Sequence, residues 1–256
     1  MAGVVVRVYV AREGASMTAV APERFAKGRT FDEYVRHVAS PENLARESSQ
    51  GEPRRDWSGF LRERYQKFRL GDGQVAAVRW LAAQPGGPAK ILVISEEWSS
   101  DCRRDVPMLA RLAEAGGMEL RIFDRDGRRF GRSPRPSLAE APDSNADLMA
   151  EFLNEKNGQT WQSIPVAAFF TKNLEYLYHY VEYPGMYRKD RLSGHLRAAR
   201  PGETPEQTQK RGTQAFVAML GSPMFDVWGC GACDEIISML YERMVVGSLP
   251  GASGTP

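Results

Sequence analysis

Cysteine and histidine are scarce in this chain, three of each among 256 residues. So few cysteines argue against a secreted scaffold held by disulfides, because such folds rely on dense, paired cysteines. The histidines, His37, His179 and His195, fall in separate segments and make no pair at i, i+4 spacing that would hold a metal ion. Charge of one sign is also missing. Thirty-four basic and 32 acidic side chains leave a formal charge of +2, so bulk electrostatics gives no reason to expect a nucleic acid or a membrane as partner. No apolar run reaches the roughly 18 residues that a membrane-crossing helix needs. The apolar start around Val4 to Val10 is interrupted by Arg7 and lacks a small-residue cleavage site. A signal peptide is therefore not expected, and a cytoplasmic location is. That segment reads equally as an edge strand or as an extension ahead of a second start at Met17. G-x-S-x-G, P-loop and dinucleotide-binding patterns are absent, which removes serine-hydrolase and nucleotide chemistry from consideration and implies no organic cofactor.

What is present divides into three stretches. Residues 1–86 read as a mainly helical extension. Thr30 caps FDEYVRHVAS, while Trp57, Phe60, Leu61, Tyr65 and Phe68 recur at helical spacing. Val75, Val78, Trp80 and Leu81 give a further apolar face after the Gly71-Asp72-Gly73 break, and the aromatic stripe is expected in the core. Pro85-Gly86-Gly87-Pro88 ends this part. Residues 87–214 are expected to form an α/β core and residues 215–256 a C-terminal helical segment with a disordered tail. Between Asp124 and Asn145 an Arg-, Pro- and Gly-rich stretch reads as a long exposed loop.

The core opens with AKILVISEEWSSDC, an apolar strand that delivers a Trp-x-x-x-Cys turn to the amphipathic stretch RRDVPMLARLAEAG. A second apolar strand follows at Met118 to Phe123, then a helix candidate over Asn145 to Glu155. Ser163-Ile164-Pro165-Val166 heads a third strand, and a fourth is expected from Leu174 to Glu182. The order β-α-β-α-β-β-α can be read from Lys90 to about Gln214.

These features resemble the thioredoxin-like superfamily. More narrowly, Glu96, Glu97, Trp98 and Asp101 resemble a bacterial thioredoxin-like family whose turn reads Trp-Cys-Gly-Asp. The resemblance implies a thioredoxin-like α/β fold with N- and C-terminal helical extensions. It also implies a cis peptide at Ile164-Pro165 beside the turn, and a substrate groove shaped by Trp98, Ser99, Asp101, Ile164 and Pro165. The chain departs from the family at the functional position, because Ser99 stands where the nucleophilic cysteine would be. A hydroxyl cannot be the electron-carrying partner of a disulfide.

The remaining thiols are Cys102, Cys230 and Cys233. WGCGACDE leads into IISMLYERM, so the C-x-x-C pair is expected at a helix N-terminus, the setting that lowers a thiol pKa. Three readings of the pair stay open: a dithiol redox centre, a metal site completed by Cys102 with His179, His195 or a carboxylate, and plain buried side chains. The leading expectation is thiol-disulfide exchange on a protein or small-molecule disulfide, with Cys230 attacking, Cys233 resolving and Cys102 as a relay. The alternatives are a non-catalytic thioredoxin-like binding module and a Cys-ligated metal protein.

Overall fold

The computed structural model describes residues 20–49, 51 and 53–246. The expected Val4 to Val10 strand and the small-residue tail after 246 lie outside the described residues. The described residues ahead of the sheet are mainly helical. Short α1 (Pro22–Phe25) leads to α2 (Phe31–Val38), α3 (Pro41–Leu44), α4 (Ser58–Lys67) and α5 (Asp72–Ala82). Thr30 starts α2 with a reciprocal cap: its hydroxyl accepts from the Glu33 backbone N–H, and the Glu33 carboxylate accepts from the Thr30 N–H. Leu61, Phe68, Val78 and Leu81 enter the core, whereas Trp80 is about half exposed and leans on Tyr241.

The core begins with β1 (Lys90–Ser95), α6 (Ser100–Gly116) and β2 (Glu119–Asp124). This is a crossover unit in which β1 and β2 pair in parallel, Lys90 opposite Glu119 through Ser95 opposite Asp124. Gly117 stops α6 in the left-handed conformation at φ 65°, where a side chain would cost energy. The chain continues through α7 (Ala146–Ala150), β3 (Asn154–Lys156), β4 (Gln159–Trp161), β5 (Val166–Phe170) and β6 (Tyr176–Val181). The main sheet has the order β2-β1-β5-β6, with β5 antiparallel to both neighbours. The expected helix over Asn145 to Glu155 is shorter, because the chain turns at Asn157-Gly158 and folds into the separate β3–β4 hairpin. Both turn residues have positive φ, a conformation that Asn-Gly adopts readily.

Beyond β6 come a 3-10 turn at Gly185–Tyr187, α8 (Lys189–Arg197), α9 (Pro205–Leu220) and α10 (Met224–Tyr241). Helix α10 packs on α6 and α5, and α4 and α5 cover other sides of α6, while α8 and α9 pair with each other. A helix that usually has a solvent face is thus enclosed. Residues Asp101, Arg104 and Asp105 of α6 are buried along with Val106, Leu109 and Leu112. Burial of so many charges requires each to have a partner inside the protein.

Candidate functional site

The turn between β1 and α6 is built by local hydrogen bonding. The Ser99 N–H donates to the Glu96 carbonyl at 3.1 Å. The Ser99 hydroxyl accepts from the Cys102 N–H at 3.4 Å, so Ser99 acts as the N-cap of α6. Cys102 sits one turn into the helix with 1% of its surface exposed. Burial pushes its thiol up to about 12, although hydrogen bonds from Ser95, the Glu96 backbone and Ser99 pull the other way. At neutral pH this is a protonated, shielded side chain and a poor nucleophile.

Two ion networks grip the turn. On the strand side, Glu96 and Glu97 are buried and meet arginines from the N-terminal extension. Arg46 donates to Glu96 at 2.8 Å, and Arg54 donates to both Glu96 and Glu97, the latter at 2.8 Å. Burial still dominates at Glu96 and, with Asp126 nearby, raises it to about 7 against the pull of Arg46 and Arg54. On the helix side, Asp101 pairs with Arg104 at 2.9 Å and with Lys189. Arg104 also forks onto Asp105 with two contacts of 2.7 Å, and the Tyr180 hydroxyl donates to Asp105 at 2.8 Å. Lys189 donates further to Glu182 at 2.8 Å. Although burial opposes it, Lys189 and Lys156 hold the Glu182 carboxyl down at about 2.

The Ile164-Pro165 peptide is cis and buried next to the turn, as the resemblance implied. In front of it lies a groove of about 880 Å³ lined by Trp98, Ser99, Asp101 and Ile164. Four of the five residues assigned to a groove from sequence thus share one surface, and the fifth, Pro165, directly follows Ile164 without lining the groove itself. Sequence reasoning missed the opposite wall, formed by residues 130–135 and 158–162. The Asn157-Gly158 hairpin turn was the available signal for half of it.

A family model described as thioredoxin matches residues 54–130, a span that takes in α4 and α5 of the N-terminal part as well as β1, the turn, α6 and β2. The fold is thioredoxin-like. No curated protein matches the chain. Among solved structures, the chain is similar to a protein of unknown function from Pseudomonas aeruginosa, at 16% identity and a TM-score of 0.47, over 84% of this chain and 93% of that one. It is also similar to an HIV epitope-scaffold at 15% identity and a TM-score of 0.45, over 85% and 95% of the two chains.

The C-x-x-C pair of this thioredoxin-like chain is not where its sequence suggested. Helix α10 starts at Met224, so Cys230 and Cys233 lie in its middle rather than at its N-terminus. The helix-start field that would activate a thiol is confined to the first turn. Cys233 is fully buried, and burial with Asp234 pushes it up to about 12. Cys230 is half-buried, and burial with Asp234 and Asp226 raises it as well. All three cysteines are free thiols. Among the described residues, no group of three or more His, Cys, Asp or Glu side chains is arranged to hold a metal ion, so the set of Cys102, the C-x-x-C pair and His179 or His195 is not assembled. His179 instead contacts the Tyr176 hydroxyl through Nδ1 at 2.6 Å.

Proposed function

We propose that this protein is a non-catalytic thioredoxin-like binding module whose groove beside Ile164-Pro165 takes an extended peptide. The observation that carries this reading is the state of the turn. Ser99 uses its hydroxyl to cap α6, and the nearest thiol is buried and protonated, yet the groove in front of them is open. The narrower likeness to the Trp-Cys-Gly-Asp family belongs to the same proposal, with binding retained and the redox step lost. Backbone chemistry supports a peptide as ligand. Among the described residues, neither Ser163 nor Ile164 makes a backbone–backbone hydrogen bond, and such groups along a groove suit pairing with an extended chain. Three unpaired thiols suit a reducing compartment, which keeps a cytoplasmic location within the proposal.

Thiol-disulfide exchange through Cys230 and Cys233 is the second reading, and the partial exposure of Cys230 is the observation in its favour. Reduction of a protein disulfide by the purified chain, with dithiothreitol as electron source, separates the two. The binding-module reading expects the uncatalysed rate for the wild type and for Cys102→Ser and Cys230→Ser. Turnover by the wild type that disappears in Cys230→Ser overturns it.

A further inference from the structure

The wall that faces the cis-proline side of the groove carries a charge pattern that its opposite side lacks. Residues 127–138, GRRFGRSPRPSL, contain four arginines and no acid. This segment is fixed in place. Thr160 Oγ1 donates to the Pro134 carbonyl at 2.5 Å, Gln162 Nε2 donates to the Ser133 carbonyl at 2.8 Å, and Arg125 donates to the Gln162 carbonyl at 2.9 Å. The loop and the β3–β4 hairpin therefore form one stitched wall. At its inner end the Arg125 guanidinium lies 5.2 Å from the Trp98 ring and 4.8 Å from the Phe130 ring, while both of its outer nitrogens are taken up by Asp126 and Gln162.

The outer end is different. Arg132 is exposed, and its one ion-pair partner among the described residues is Glu47, at 3.0 Å. Among the described residues, the Arg135 side chain has no carboxylate partner, and both arginines line the groove. The acids of the lining, Asp101 and Glu182, are already matched by Lys189 and Lys156, so they present little net negative charge to a ligand. The charge left over in the lining is thus positive, at Arg132 and Arg135. Trp98, Phe130 and the half-exposed Trp161 add apolar surface to the same lining.

Resting on the reading of the groove as a peptide site, we propose that its partner is an acidic peptide segment. The extended backbone lies along Ser163-Ile164, an apolar side chain contacts Trp98 and Phe130, and aspartate or glutamate side chains meet Arg132 and Arg135. Arginine forks suit carboxylates geometrically as well as by charge.

Fluorescence anisotropy with labelled synthetic peptides tests this. Three peptides share a leucine-containing centre and carry aspartate, glutamine or lysine flanks, and an oligothymidylate of matching negative charge is the fourth probe. At about 50 mM salt the aspartate peptide is expected to bind about fivefold tighter than the glutamine peptide, the size of one or two exposed ion pairs. The lysine peptide is expected to bind most weakly. Arg132→Gln with Arg135→Gln is expected to bring the aspartate and glutamine peptides level, and a variant that keeps the aspartate preference overturns the assignment of these two arginines. Equal binding of aspartate and glutamine peptides by the wild type overturns the charge inference and leaves the peptide groove standing. Failure of every peptide to bind overturns the groove reading and the charge inference together. Oligothymidylate binding as tight as the aspartate peptide overturns the assignment of a peptide partner.

Discussion

Arg54 is the residue on which the geometry of the turn depends most, and Arg54→Met measures that dependence. The Arg54 side chain is fully buried and holds Glu96 and Glu97, both buried, while its Nε donates to the Glu47 carbonyl at 3.2 Å. Methionine fills much of the same space without the charge, leaving two carboxylates short of a cation inside the protein. Breaking a buried pair from one side costs about 3–5 kcal/mol. With a urea slope of about 3 kcal/mol per molar, the unfolding midpoint falls by about 1 M or more. The pH dependence gives the sharper signature. Glu96 has a folded value near 7, above its ordinary 4.5. A carboxyl raised in this way adds stability below its unfolded value and withdraws it as pH rises through the folded one. Removing Arg54 raises Glu96 further. At about pH 6 Glu96 carries a proton in both proteins, so the deficit there comes mainly from Glu97 and the lost hydrogen bonds. Above about pH 7 the wild type can ionise Glu96 beside two arginines and the variant beside one, so the deficit widens. Urea titrations by circular dichroism at about pH 6 and about pH 8.5 check this. A deficit below about 1 kcal/mol at the higher pH, or an equal deficit at both, refutes the argument.

Replacing Ser99 by cysteine puts a thiol at the start of α6, where the helix field favours the thiolate. Its alkylation rate is expected to show a midpoint below about 8, and a midpoint at or above the ordinary value of about 8.5 would mean that the turn no longer provides that field. In the native wild type, a thiol reagent at neutral pH is expected to modify Cys230 slowly and to reach Cys102 and Cys233 only after denaturation; mass mapping of the modified residues decides it. Glu182→Gln removes a carboxylate held near 2 by Lys189 and Lys156. That carboxylate contributes stability above about pH 4.5 and loses it as pH falls toward 2, so the variant is expected to be about 2–3 kcal/mol weaker at pH 7 and to converge on the wild type in acid. Gly117→Ala meets no atom at its new Cβ, so only the positive φ penalises it. Thermal melts are expected to show a loss of about 1 kcal/mol, and a loss several times larger would point to a hidden steric clash.

Much of this arrangement is written locally in the chain. The run KILVIS, the cap at Ser99 and the stop at Gly117 depend on neighbours within a few residues, so β1 and α6 could be read from sequence alone. The same holds for Thr30 and Glu33 at α2. The C-x-x-C pair was misplaced because the two glycines around Cys230 look like a helix boundary, while tertiary packing carries α10 straight through them. Gly229 faces Phe68 and Arg104 at ordinary contact distance, so the small residue serves close packing rather than a break. Leu174, expected to open the fourth strand, adopts φ 63° in the turn ahead of it. The second wall of the groove and the buried ion networks were not legible, since they join residues as far apart as Arg46 and Glu96 or Asp101 and Lys189. Nothing in the spacing of such residues signals that they meet.

That separation bears on how the molecule is made. Synthesis runs from the N-terminus, so Arg46 and Arg54 already exist when Glu96 and Glu97 emerge, and the strand side of the turn can close at once. Asp101 meets Arg104 at once, but its second partner, Lys189, follows 88 positions later. A nascent chain therefore carries a half-secured groove, and its shape is settled only when the first residue of α8 leaves the ribosome.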